Sequence, residues 1–263
     1  MKLFCRKIGN GPPFMILHGL YGSSDNWMTI AKAIAEKFTV YLPDLRNHGQ
    51  SPHSQIHDYE SMSEDIYELT KELHLNKFIL AGHSMGGKIA VNFARKWPEK
   101  ISSLIILDVY PFRKDDPGDR FFSEHKQILE SLKSFDLKQI TKRSEVEEKI
   151  REKIDSEKVR NLILKNILRL PDNTFTWKIN INSLLDNLKN VVSGLKEPGP
   201  EEAITGFPVL FIKGEMSDYI ISDEMKTVRK LFPAAEMVII KNAGHWLHSE
   251  KPEEIIEIFL NLV

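Results

Sequence analysis

Ser84 has the clearest setting for nucleophilic chemistry in this sequence. It is the central residue of Gly82-His83-Ser84-Met85-Gly86, a Gly-x-Ser-x-Gly pattern between an apolar run and a helix-patterned run. Such a pattern predicts a sharp turn from a strand into a helix, with glycines where the two backbones approach closely. The N–H groups and the positive dipole end of that helix would stabilise a negative charge beside the hydroxyl. The pattern therefore indicates a serine nucleophile.

The same stretch fits a second hypothesis, because Gly82 to Lys88 spells Gly-x-x-x-x-Gly-Lys, most of a phosphate-binding loop. That motif requires serine or threonine next, to bind magnesium, and Ile89 stands there instead. Short motifs also arise by chance, so a turn with neither function is a third interpretation. The stretch favours the serine nucleophile, and the other residues of the chain must distinguish among these three interpretations.

A serine hydroxyl needs a base to accept its proton and an acid to orient that base. For this kind of turn the expected chain order is serine, then acid, then histidine. His245 fits the base, because it follows the last predicted strand of the chain. Asp108 and Asp218 both satisfy the order for the acid, and spacing alone does not separate them. The backbone N–H groups of Met85 and Leu20 are the predicted oxyanion hole.

Continuous apolar runs separated by helix-patterned segments must position these residues. The runs cover residues 14–17, 38–42, 78–81, 101–107, 208–212 and 237–240. Buried strands alternating with helices predict an α/β fold, with a mostly parallel central sheet and helices on both faces. Functional loops of such sheets lie at the carboxyl ends of the strands. His18, Asp44, Ser84 and Asp108 all follow strands directly, so we expect them at one edge of the sheet.

The pattern changes after the fourth of these runs. Between residues 112 and 199, dense mixed charge and apolar residues at helical spacing, as in 162–167, indicate helices rather than buried strands. We interpret 112–199 as a helical cap inserted between two core segments, 1–111 and 200–263. Both signs of charge alternate through 142–158, which is typical of a solvated helix face rather than a nucleic-acid site.

The composition restricts the class of protein. The chain has 263 residues, 41% hydrophobic and 28% charged, and a net charge of −1 that attracts neither nucleic acid nor membrane. Cys5, the single cysteine, allows no internal disulfide, and no apolar run is long enough for a signal peptide or a membrane span. The histidines lack the co-ligand spacing of a metal site. We expect a cytoplasmic protein, monomeric or homodimeric, that needs no metal or cofactor.

Taken together, four motifs resemble those of the α/β-hydrolase superfamily over essentially the full chain. They are His18-Gly19-Leu20-Tyr21-Gly22-Ser23, Asp44-Leu45-Arg46-Asn47-His48-Gly49-Gln50-Ser51, Gly82-His83-Ser84-Met85-Gly86-Gly87-Lys88 and Gly244-His245-Trp246. In Leu107-Asp108-Val109-Tyr110-Pro111 and in the tail from Asn242 to Pro252, the chain is similar to one branch of that superfamily, which includes the bacterial YbfF-type esterases and the mitochondrial abhydrolase-domain-containing protein 11 group. The resemblance favours Asp108 as the acid. Many members instead place the acid three residues after a glycine, where Ser217 stands here, and Asp218 is one residue later.

The resemblance implies a serine carboxylesterase that hydrolyses small-to-medium acyl esters, with thioesters as a related class, through an acyl-enzyme. Aromatic residues are candidates for the wall of the substrate pocket: Trp27, Phe112, Phe121, Phe122 and Trp177. A carbon–carbon bond hydrolase, a lactonase and a non-catalytic ligand-binding protein of the same fold are the alternatives. The expected partner is a small-molecule ester.

Overall fold

A seven-stranded sheet is the centre of the fold. The computed structural model describes residues 1–113, 120–140, 142–199 and 201–261. The strands in these ranges are β1 (Cys5–Ile8), β2 (Pro13–Leu17), β3 (Thr39–Pro43), β4 (Phe78–His83), β5 (Ile101–Leu107), β6 (Ile167–Arg169), β7 (Phe175–Trp177), β8 (Val209–Gly214) and β9 (Glu236–Ile240). The sheet has the order β1-β3-β2-β4-β5-β8-β9, and β6 and β7 form a separate pair. Only β1 is antiparallel to its neighbour in this sheet, so the predicted mostly parallel architecture is confirmed.

Helices cover both faces of the sheet. In the described ranges they are α1 (Met28–Ile34), α2 (Tyr59–Glu72), α3 (Met85–Lys96), α4 (Arg120–Lys133), α5 (Arg143–Lys153), α6 (Glu157–Leu164), α7 (Ile181–Asp186), α8 (Leu188–Ser193), α9 (Met225–Leu231), α10 (Leu247–Glu250) and α11 (Pro252–Leu260). None of these helices is both long and apolar enough to cross a bilayer.

Strand β4 shows why the strands are apolar throughout. Phe78 and Leu80 belong to the hydrophobic cluster that also contains side chains of α2, α3 and α9. Ile79 and Ala81 belong to the cluster on the other face, with side chains of α1 and α11. Successive side chains of a strand point to opposite faces, so a sheet covered on both faces buries every one of them.

The segment between β5 and β8 has a core of its own. Helices α4 to α8 and strands β6 and β7 bury a cluster that includes Leu129, Ile163 and Phe175, joined by Tyr21 from the other part of the chain. We propose on this basis a cap of residues 112–199 on a core of 1–111 and 200–263.

The helical spacing expected over residues 162–167 is wrong at its end. Helix α6 stops at Leu164, and Ile167 begins β6, where it pairs with Trp177 of β7. Ile167 pairs with a residue ten positions further along the chain, outside the 162–167 window, so the spacing within that window does not reveal the pairing.

Candidate active site

Ser84 lies at the turn between β4 and α3 in a strained backbone conformation. Its φ is +54° and its ψ is −119°. For a residue with a side chain, such a conformation costs about 1–3 kcal/mol and persists only where the surroundings impose it. The flanking glycines are required: a Cβ on Gly82 would lie 2.2 Å from the Gly86 carbonyl oxygen, and one on Gly86 would lie 2.4 Å from the Leu17 carbonyl oxygen.

His245 and Asp108 are hydrogen-bonded to each other. Nδ1 of His245 lies 2.7 Å from Oδ2 of Asp108, whose side chain is fully buried. The same carboxylate accepts a hydrogen bond from the Gly214 N–H on Oδ1 (2.9 Å) and one from the Ser217 hydroxyl on Oδ2. With Nδ1–H donating to the carboxylate, Nε2 of His245 keeps a lone pair that can accept a proton. His245 and Ser84 line the same cavity.

The two aspartates that spacing did not separate occupy different environments. The Asp218 side chain is 76% exposed, and Oδ2 lies 3.5 Å from Nη2 of Arg120 on α4. Asp108, by contrast, contacts the imidazole of His245. Ser217, three residues after Gly214, stands where many superfamily members have the acid, and here its hydroxyl donates to Asp108.

The loops that carry Ser84 and His245 are joined directly. Nε2 of His83 lies 2.8 Å from the carbonyl oxygen of His245, to which it donates a hydrogen bond. Burial, followed by the electrostatic interaction with His245, lowers the pKa of His83 well below its ordinary value, so the ring is neutral. A Cβ on Gly214 would lie 2.3 Å from the Gly244 carbonyl oxygen, so the loops after β8 and β9 touch. These contacts restrict the position of the His245 imidazole.

Tyr219 stacks on His245, with ring centroids 3.6 Å apart and 13° between the planes. Phe121 of α4 lies on Tyr219 at 4.3 Å between centroids, so the cap segment contacts the imidazole through one intervening ring. Nothing in the sequence singles out Tyr219 except its place beside Asp218.

Two backbone N–H groups beside Ser84 have no hydrogen-bond partner among the described residues. Gly19 to Gly22 form a tight turn, closed by a hydrogen bond from the Gly22 N–H to the Gly19 carbonyl (3.0 Å). The Tyr21 N–H in this turn donates to a side chain, whereas in the described part of the chain neither Leu20 nor Met85 has a partner for its N–H. Leu20, Ser84 and Met85 line one cavity. The arrangement can present two donors to an oxygen bound next to Ser84.

Two buried histidines brace this turn. Nε2 of His18 accepts the Leu45 N–H (2.9 Å), so Nδ1–H must donate to the Gly19 carbonyl (2.8 Å). Nε2 of His48 accepts the Tyr21 N–H (3.2 Å), while its Nδ1–H donates to a backbone carbonyl of its own loop (2.9 Å). Both arrangements need a neutral ring, and burial lowers the pKa of both histidines. The Gly19–Gly22 turn is therefore held by two histidine side chains, His18 after β2 and His48 in the loop after β3.

Two cavities meet at Ser84. The small cavity, about 100 Å³, is lined by Ser84, His245, Trp27 and Trp246 among others. The large cavity, about 400 Å³, lies toward α3 and α8, and its wall includes Phe112. Leu20, Ser84, His125 and Tyr219 line both.

The aromatic residues predicted to line a substrate pocket are divided by the structure. Trp27 lines the small cavity, and Phe112 and Phe121 line the large one. Phe122 and Trp177 are not among the described residues that line either cavity, because both pack against the hydrophobic cluster of the cap segment. Their aromatic character serves the cap core.

Lys88 does not extend along the Gly82–Gly87 turn as a phosphate-binding lysine would. Its Nζ donates to the carbonyl oxygens of Val191 (3.1 Å) and Val192 (2.8 Å) on α8. The geometry thus gives the phosphate-loop hypothesis no support.

Further histidines near the site are held neutral by burial. Burial lowers the pKa of His125 to about 4 and that of His248 to about 3, with the electrostatic interaction with His245 as the second cause in each. Within the described ranges, no three His, Cys, Asp or Glu side chains are grouped so that they could hold a metal ion.

Comparisons with known proteins identify the family of the chain. Residues 12–132 match the alpha/beta hydrolase fold family. The chain is 33% identical over 258 residues to the sn-1-specific diacylglycerol lipase ABHD11 of Danio rerio, covering 97% of this chain and 79% of that protein. It is 27% identical over 247 residues to Esterase YbfF of Escherichia coli (strain K12), covering 94% and 91%. A solved structure described as a marine microorganism esterase superposes with a TM-score of 0.94 at 42% identity, covering 100% of this chain and 99% of that one. The chain belongs to the α/β-hydrolase family.

Proposed function

We propose that this protein is a serine esterase that hydrolyses acyl esters through an acyl-enzyme. The observation that carries the proposal is the His245–Asp108 hydrogen bond of 2.7 Å, in a cavity that Ser84 also lines. The N–H groups of Leu20 and Met85, which have no partner in the described part of the chain, supply the second requirement, a place for negative charge. The named relatives, a lipase and two esterases, support hydrolysis of ester bonds.

In the first half-reaction the Ser84 oxygen attacks the ester carbonyl carbon, and its proton passes to Nε2 of His245. Asp108 stabilises the imidazolium and holds its orientation. The carbonyl oxygen becomes an oxyanion that accepts hydrogen bonds from Leu20 and Met85. When the intermediate collapses, the alcohol leaves with the proton from His245, and the acyl group stays on Ser84. Water then repeats the sequence, releasing the carboxylic acid and restoring the serine.

The two cavities suggest where the parts of the ester bind. The alcohol must take its proton from His245, so we place it in the small cavity, which His245 lines. The acyl group then enters the large cavity, whose wall includes the apolar side chains of Val109, Phe112 and Val191. A volume of about 400 Å³ suits small-to-medium acyl chains. A thioester would follow the same route, with a thiol as the leaving group.

Turnover of p-nitrophenyl esters of graded acyl length tests the proposal. We expect hydrolysis by the native chain, loss of turnover in Ser84→Ala, and covalent labelling by a fluorophosphonate that disappears in the same variant. Phe112→Ala should shift the preferred acyl length upward, while Phe122→Ala, outside both cavities, should leave the preference unchanged. Hydrolysis that persists in Ser84→Ala would contradict the proposal. Ligand binding without turnover of any ester would favour a binding protein, and turnover of lactones or carbon–carbon substrates alone would favour another hydrolase.

A further inference from the structure

The turn that carries the Leu20 N–H is strained at Tyr21. Tyr21 has a φ of +63° at the third position of the Gly19–Gly22 turn. A turn of this form prefers glycine at that position, because a positive φ brings a Cβ close to the backbone. Left without restraint, Tyr21 would return to a negative φ. The Leu20–Tyr21 peptide would then rotate, and we expect the accompanying change in the Leu20 backbone to shift the Gly19–Leu20 peptide, which carries the Leu20 N–H.

Two side chains hold Tyr21 in this conformation, one on each side of the residue. His48 accepts its N–H, as described above. Nδ2 of Asn166 donates to its carbonyl oxygen at 2.8 Å. Asn166 is only 3% exposed and lies in the cap segment, between α6 and β6. The same amide also donates to the Leu162 carbonyl at 3.2 Å, so the orientation of the side chain is determined.

We propose that Asn166 is a positioning residue for the oxyanion hole: its amide, supplied by the cap, keeps the strained Gly19–Gly22 turn in the form that presents the Leu20 N–H. The inference rests on the proposed function and deepens it, because the cap then contributes to stabilisation of the transition state as well as covering the site. Asn166 is not among the described residues that line either cavity. It acts through Tyr21.

Asn166→Asp tests this role, since it keeps the shape of the side chain and removes the donor that faces the Tyr21 carbonyl. Removing one oxyanion-hole donor lowers kcat by about 10²–10³-fold in a well-studied protease. A displaced donor should cost less, so we expect kcat to fall about 10–100-fold with KM changed by less than about 3-fold. The affinity for a trifluoromethyl ketone, whose adduct with Ser84 carries an oxyanion, should fall by the same factor as kcat.

Asn187→Asp is the matched control. Asn187 also joins the cap segment to the core, because its Nδ2 donates to the Gln55 carbonyl (2.8 Å) and, as in Asn166, to the carbonyl four residues earlier, here that of Ser183 (2.9 Å). Neither of these hydrogen bonds involves the Gly19–Gly22 turn or His48. We expect kcat and the ketone affinity of Asn187→Asp to stay within about 3-fold of the native values. If Asn166→Asp does not fold, Asn166→Ala removes the same donor without adding charge and takes its place.

Repeating the measurement in a Tyr21→Gly background distinguishes a positioning role of Asn166 from a general contribution to the stability of the fold. Glycine adopts a positive φ without strain, so in a Tyr21→Gly background the turn no longer depends on Asn166. In the Tyr21→Gly background, Asn166→Asp should lower kcat by less than about 3-fold. The difference between its effects on kcat in the two backgrounds measures the coupling between Asn166 and Tyr21. An equal fall in both backgrounds, or full activity of Asn166→Asp, would overturn the inference. If hydrolysis persists in Ser84→Ala, the proposed function itself fails, which is a distinguishable result.

Discussion

A comparison of Asp108→Asn with Asp218→Asn is the most direct test of the proposed triad of Ser84, His245 and Asp108. Oδ1 of Asp108 accepts the Gly214 N–H, and Oδ2 accepts both the Ser217 hydroxyl and Nδ1–H of His245. Asparagine has one acceptor oxygen and one NH2 group, so it can satisfy only one side of this arrangement. Each orientation of the amide therefore has a definite cost.

If the NH2 group of the asparagine faces His245, Nδ1 must present its lone pair and the proton moves to Nε2. The imidazole is then in the wrong tautomer to accept the proton of Ser84. If the NH2 group faces the Gly214 N–H instead, two donors oppose each other in a fully buried place, which costs about 1–3 kcal/mol. That cost leaves roughly one molecule in five to one in 150 with the productive orientation. The lost negative charge of Asp108 lowers the rate further.

We expect kcat of Asp108→Asn to fall by about 10³–10⁴-fold, as in a well-studied triad in which the same change was made. For Asp218→Asn we expect less than about 3-fold, because an exposed pair such as Asp218–Arg120 contributes at most about 1 kcal/mol to stability. The assay is initial-rate hydrolysis of p-nitrophenyl butyrate, with Ser84→Ala as the blank and circular dichroism as the test of folding. A large loss in Asp218→Asn with a small one in Asp108→Asn would refute the reasoning, and comparable modest losses would mean that the two carboxylates share the role.

Three further predictions concern stability, each measured by urea unfolding. Ser84→Gly should be more stable than Ser84→Ala by about 1 kcal/mol, because only glycine relieves the strain at φ +54°; equal stabilities would mean that the turn is not strained. Gly86→Ala should destabilise the fold by about 3 kcal/mol, because the new Cβ would lie 2.4 Å from the Leu17 carbonyl oxygen, whereas Gly199→Ala, with no neighbour closer than 3.6 Å, should be nearly neutral. Burial, and then the charge of Arg46, lowers the pKa of His57 to about 3, so only the unfolded chain takes up this proton as the pH falls below about 6.5. The stability that His57 contributes is therefore present above that pH and lost below it. Between pH 7.5 and 5.5, His57→Gln should lose about 1.4 kcal/mol less stability than the native chain, and identical losses would contradict the assignment.

The architecture and the sharp turn at Ser84 were accessible from the sequence because local physics determines them. A strand buried on both faces must be apolar at consecutive positions. The apolar runs before Ser84 and before Asp108 therefore predict a parallel sheet with helices on both faces. The turn needs glycine at positions 82 and 86 because a Cβ there would overlap backbone atoms. The sequence records this requirement as the Gly-x-Ser-x-Gly motif. Parallel strands place their carboxyl ends at one edge, which is why His245 could be assigned to the same edge as Ser84.

The identity of the acid and the contacts around the site depend on distances between loops that are far apart in sequence, and only the tertiary structure determines those distances. Asp108 and Asp218 satisfy the same chain order, but only the packing of β5 against β8 brings one to His245 and leaves the other at the surface. Tyr219 and Asn166 were not foreseeable, since an aromatic ring or an amide has no local pattern that reveals the group it will contact. Sequence patterns record constraints along the backbone, whereas these contacts arise from how separate segments pack against one another.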